Sequence, residues 1–125
     1  MDCIKLIKNL RDTQKSTLLG IGPMSKNCVD STIKISNEYD LPIMIIASRR
    51  QIECKEFGGG YVNNWSTEEF ANYVEKNDIK GNIILCRDHG GPFQGKDEQG
   101  LDFEKTMENA KKSFLVDIKS NFKII

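Results

Sequence analysis

Three short apolar runs constrain this chain more than any other feature. They are Thr17-Leu18-Leu19-Gly20-Ile21-Gly22-Pro23, Pro42-Ile43-Met44-Ile45-Ile46-Ala47 and Asn82-Ile83-Ile84-Leu85-Cys86, and none shows an alternation of apolar with charged residues. A strand with one wet face alternates, whereas a strand covered on both faces does not, and such runs are typical of parallel sheets. Helical patterns separate the runs, so the chain predicts alternating β/α units joined by right-handed crossovers.

The helical patterns have readable ends. Ile4, Ile7 and Leu10 fall at helical spacing within residues 2–15. Ser25 can cap a helix on which Cys28, Thr32, Ile35 and Tyr39 share a face, and Asp40-Leu41-Pro42 stops it. Ser66 and Glu69 stand at the two positions of a capping box, with Trp65 and Phe70 placed as a hydrophobic staple around it. A long helix is predicted over about residues 101–120, with Phe103, Met107, Ala110, Phe114 and Ile118 on one face. Phe122-Lys123-Ile124-Ile125 reads as the start of a fourth strand.

Composition narrows the function classes. The 125 residues carry 18 Lys+Arg against 18 Asp+Glu, so no basic excess exists to hold a nucleic-acid backbone. No apolar stretch approaches the about 18 residues that cross a bilayer, and Met1-Asp2-Cys3-Ile4-Lys5 does not read as a secretory leader. Cys3, Cys28, Cys54 and Cys86 are scattered, with no C-x-x-C pair, and read as reduced thiols of a cytoplasmic protein.

Polar residues gather where the strands end, which is where parallel α/β folds place their ligands. Gly20-Ile21-Gly22-Pro23 either lets a ligand approach the backbone or simply turns the chain. Arg49 and Arg50 present planar forks suited to phosphate or carboxylate, or else pair with Glu53 and Glu56. Arg87, at the end of the third run, is a further candidate for phosphate. Gly59 and Gly60, in Phe57-Gly58-Gly59-Gly60-Tyr61, could cradle a phosphate through backbone amides or form a turn or lid. Asp88-His89 joins the single histidine of the chain to a carboxylate, followed by Gly90-Gly91-Pro92. Such a pair can bind a metal and move a proton, or it can be a structural turn.

In order along the chain, G-I-G-P-M-S, I-I-A-S-R-R-Q-I-E, F-G-G-G-Y-V, W-S-T-E-E-F and I-I-L-C-R-D-H-G-G-P resemble the N-terminal half of the tagatose-bisphosphate aldolase accessory-subunit family. That family is related to the class II fructose-bisphosphate aldolases. The resemblance implies the first half of a (β/α)8 TIM barrel, strands 1–4 over residues 1–125, of a full length near 250 residues. It also implies a ketose-bisphosphate or other sugar-phosphate substrate and a divalent metal, usually zinc. In that reading His89 holds the metal and Asp88 exchanges a proton with a substrate oxygen. The expected partners are a second copy of the chain or a catalytic aldolase subunit, because a half barrel leaves sheet edges open. Two alternatives stand beside aldol cleavage: a non-enzymatic accessory subunit, and a small open-sheet domain binding a phosphorylated ligand at a switch point.

Overall fold

A computed structural model describes residues 2–125; Met1, part of the Met1–Lys5 stretch read from sequence, lies outside them. Three parallel strands, β1 (Leu19–Ile21), β2 (Ile43–Ala47) and β3 (Ile83–Arg87), form one sheet in the order β1-β2-β3. Leu19 pairs with Ile43, Ile43 with Ile83, and Ala47 with Arg87. Four α-helices accompany the sheet: α1 (Cys3–Asn9), α2 (Lys26–Tyr39), α3 (Thr67–Asn77) and α4 (Phe103–Lys119). None is long and apolar enough to cross a membrane.

The caps lie where the sequence places them. Ser25 Oγ accepts the Cys28 amide at 3.2 Å, and Ser66 and Glu69 form the reciprocal box at 2.9 and 3.1 Å; the cap of α4, which the sequence reading does not name, is Asp102, accepting the Lys105 amide at 2.8 Å. Trp65 and Phe70 close the staple, with ring centroids 5.7 Å apart.

Helices α2, α3 and α4 pack on one face of the sheet. Val29 and Ile33 of α2, and Phe70, Ala71 and Val74 of α3, bury against Ile45, Ala47 and Leu85. Strand side chains alternate, so Arg87 lies on the same face as Leu85, and it meets Asp117 of α4. A strand order that never reverses, joined by right-handed crossovers, puts every crossover helix on the same side. It also leaves no reversal of strand order, so the switch-point crevice of an open doubly wound sheet does not arise.

Four β/α units of a half barrel do not form. The described residues make a small α/β domain with a three-stranded parallel sheet and four helices. The segment expected as a fourth strand reaches β3 through a single bridge between Cys86 and Ile124. The Phe122 amide is taken by the Asp117 carbonyl at 3.0 Å as α4 ends, and Asn121 sits at φ 65°. Only Lys123 and Ile124 are left to bond β3, too few to propagate a ladder.

Two helices present faces that coincide with the expected ones only in part, at Thr32 of α2 and Ala110 of α4. In α2 the buried residues are Val29, Thr32, Ile33 and Ser36, while Ile35 and Tyr39 are exposed. In α4 they are Thr106, Asn109, Ala110, Ser113 and Asp117, while Phe103, Leu115 and Ile118 face water. The α4 side that packs inward is polar where Asp117 meets the buried Arg87 and Ser113 bonds the buried Glu53.

Candidate functional site

The turn after β2 decides where the two adjacent arginines go. Residues 48–52 fold back through bonds from the Gln51 and Ile52 amides to the Ser48 carbonyl, at 3.1 and 3.0 Å. The Gln51 side chain accepts the Ser48 amide at 2.9 Å, closing the turn from the other side. Consecutive side chains then point opposite ways: Arg49 is buried and Arg50 exposed.

Arg49 is fully committed inside the protein. It donates to Glu53 Oε2 at 2.6 Å, to Glu98 Oε1 and Oε2 at 2.7 and 3.1 Å, and to the Gly91 carbonyl at 3.2 Å. It therefore ties the loop after β3 to the turn after β2. Glu98 also accepts the Gly95 amide at 3.2 Å. Burial pushes the Glu98 carboxyl up, but Arg49 and that amide outweigh it and hold the group below the usual glutamate range.

A depressed carboxyl stabilises the fold above its ordinary pKa of about 4.3, and that stability is lost as pH falls through the depressed value. The stability gap between the wild type and Glu98→Gln is expected to shrink as pH falls from 6 toward 3 in urea titrations. A gap independent of pH would remove this role.

Arg87 is likewise interior. It donates to Asp117 Oδ2 and Oδ1 at 2.8 and 2.5 Å and to the Ile52 and Ala47 carbonyls at 2.7 and 3.2 Å. Its guanidinium lies 5.1 Å from the Phe122 ring centroid. The amides of Gly59 and Gly60 are spent within their own loop, on the Cys54 and Trp65 carbonyls at 3.3 and 3.0 Å. Gly59 has φ 72°, and a Cβ on Gly60 would overlap the Gln51 carbonyl. Each glycine is thus required by the loop's shape, and neither lines the cleft described next.

That cleft, about 500 Å³, opens at the C-terminal ends of all three strands. Gly20 and Gly22 form one side, Ser48 and Arg50 a second, and Asp88 and His89 a third, with Tyr61 of the glycine loop at the rim. Of the sequence candidates, the fold brings together Gly20, Gly22, Arg50, Asp88 and His89. Arg49, Arg87, Gly59 and Gly60 stand outside. Among the described residues Arg50 makes no ion pair, so its charge is available to a ligand.

His89 takes a left-handed conformation, φ 47°. Its amide donates to Asp88 Oδ1 at 2.7 Å, and Asp88 Oδ2 lies 3.4 Å from His89 Nε2. The turn presents carboxylate and imidazole side by side, with both side chains more than half exposed. As metal donors they are two, and no group of three His, Cys, Asp or Glu side chains stands together among the described residues. A catalytic zinc generally takes three protein ligands, so the donor set does not complete such a site.

A crystal structure of a probable tagatose 6 phosphate kinase from Sinorhizobium meliloti 1021 has the same arrangement, with a TM-score of 0.68 at 18% identity. The fold is shared. The match covers 87% of this chain and spans 28% of that one. No protein-family model matches the sequence, and no curated protein does.

Residue reading alone did not single out Tyr61 or Ser48 as cleft residues. Tyr61 directly follows the glycines, and Ser48 and Gln51 are spaced to close a turn on each other; both signals are local and easily overlooked. Cys54 and Cys86 are buried thiols, each pushed up to about 11 by burial. They stay protonated near neutral pH and are poor nucleophiles.

Proposed function

We propose that the cleft binds a sugar phosphate. One observation carries this: Arg50, with no ion pair among the described residues, shares a cleft at the strand ends with the Asp88-His89 pair. A guanidinium fork suits phosphate oxygens, and a carboxylate beside an imidazole suits sugar hydroxyls. The buried Arg49 anchors the loop that carries Asp88 and His89, so the second half of the site is fixed before a ligand arrives. The structural neighbour, a probable tagatose 6 phosphate kinase, supports the same ligand class.

Calorimetric titration with a hexose phosphate tests the reading. Arg50→Gln is expected to weaken binding about tenfold to hundredfold, the worth of a charge-assisted bond. Because Arg50 is exposed, its folding stability should stay within about 0.5 kcal/mol of wild type. Equal affinity in the two proteins would discard the proposal.

A narrower reading adds turnover. Asp88 and His89 make no other ion pair among the described residues and are close enough to take the proton of a bound hydroxyl, the step that opens aldol cleavage of a ketose bisphosphate: the hydroxyl becomes a carbonyl, the carbon–carbon bond breaks, and its electron pair passes into the ketone as an enediolate. Release of dihydroxyacetone phosphate by the wild type and not by Asp88→Asn would support it. Binding without release would leave a non-catalytic, ligand-binding role beside a catalytic subunit.

A further inference from the structure

Tyr61 combines an exposed ring with a pinned backbone. The side chain is at the rim of the cleft in a residue 58% exposed, yet its neighbour Val62 is 1% exposed. The Tyr61 amide donates to the Arg50 carbonyl at 3.0 Å, the Val62 amide to the Gln51 carbonyl at 3.1 Å, and the Gly60 amide to the Trp65 carbonyl at 3.0 Å. On the other side Gly60 touches the Gln51 backbone so closely that no side chain fits. The loop cannot turn to bury the ring without breaking these contacts.

A large ring held in water on a rigid backbone loses little conformational freedom when a ligand covers it, since only two side-chain torsions need be fixed. Its apolar face can take the C–H face of a sugar ring while the hydroxyl stays wet. The direct bond from the Tyr61 amide to the Arg50 carbonyl means that the ring and the guanidinium spring from adjoining backbone in one cleft.

We infer that Tyr61 determines specificity, stacking on a cyclic sugar while Arg50 holds its phosphate, so that the cleft prefers ring-form sugar phosphates to open-chain polyol phosphates. This rests on the sugar-phosphate reading above and adds to it the form of the sugar. Asp88 and His89, across the cleft, would meet the hydroxyls at the edge of the stacked ring.

The test is calorimetric titration of glucose 6-phosphate, glycerol 3-phosphate and inorganic phosphate into the wild type, Tyr61→Phe and Tyr61→Ala. Wild type and Tyr61→Phe should bind glucose 6-phosphate about fivefold to tenfold more tightly than glycerol 3-phosphate, the scale of one stacking contact. Tyr61→Ala should bring the two within about twofold and leave inorganic phosphate unchanged. The exposed ring carries little of the core, so circular dichroism should show both variants folded. Discrimination that survives in Tyr61→Ala would overturn the role of Tyr61 while phosphate binding stood. A folded wild type that binds none of the three would overturn both readings together.

Discussion

Arg87→Met is expected to cost about 3 to 5 kcal/mol of folding stability, the range for breaking a buried ion pair from one side. Arg87 and Asp117 are both buried, at 6% and 0% exposure. Removing the guanidinium strands the carboxylate and takes a donor from the Ile52 and Ala47 carbonyls, of which Ala47 keeps the Asp88 amide. Urea unfolding would measure the loss. The double variant Arg87→Met with Asp117→Leu should recover a large part of it, because no charge is then left uncompensated. A single-variant loss below about 1 kcal/mol would show that α4 is held some other way.

The loss should also depend on pH. Burial already pushes the Asp117 carboxyl above the usual aspartate range, against the pull of Arg87. Without Arg87 the shift grows. A raised carboxyl stabilises the fold at pH below its unfolded value, and that contribution is lost as pH rises through the folded one. The Arg87→Met deficit is therefore expected to be largest at neutral pH and to narrow under acid.

Gly60→Ala should be comparably severe. The added methyl would overlap the Gln51 carbonyl and approach the Ile52 amide, and these are backbone atoms that cannot swing away. We expect a loss of about 3 kcal/mol, the upper part of the range for overpacking. Gly59→Ala provides the graded comparison: its strain comes mainly from φ 72°, worth about 1 to 2 kcal/mol, and from a closest approach of 3.0 Å to the Trp65 carbonyl. Thermal unfolding of the two variants should rank them in that order. Reversal of the order would mean that the loop relaxes around position 60, and the rigid support argued for Tyr61 would go with it.

The glycine loop illustrates what a sequence conceals. Three glycines in a row look alike as letters and suit a phosphate as well as a turn. Their amides turn out to be bonded to Lys55, Cys54 and Trp65 carbonyls, which fixes them as a turn. The same holds for Arg49 and Arg50. Side by side in the chain, they separate because Glu98, 49 positions further on, supplies a buried partner for only one of them.

Helix faces were legible in part. The three apolar runs and their punctuation marked β1, β2 and β3, and the capping box marked the start of α3 to the residue, because strand burial and capping are local physics. The inward face of α4 was misread. Apolar spacing selects Phe103, Met107, Ala110, Phe114 and Ile118, of which Ala110 is buried, but the helix also turns Ser113 and Asp117 inward, where Glu53 accepts the Ser113 hydroxyl at 2.6 Å and Arg87 meets Asp117. Hydrophobic periodicity identifies a core side only when the surface opposite is apolar.

By itself, then, the sequence determined the alternation of parallel strands and helices and the residues gathered at the strand ends, since both follow from burial patterns and caps within a few residues. Only the tertiary structure decided that the sheet stops at three strands and which arginine faces the cleft. It also decided that Asp88, His89 and Tyr61 stand around one opening. Those outcomes depend on partners 30 to 60 residues apart, such as Asp117 for Arg87 and Ser113 for Glu53, whose free energy of pairing exists only once the chain has folded.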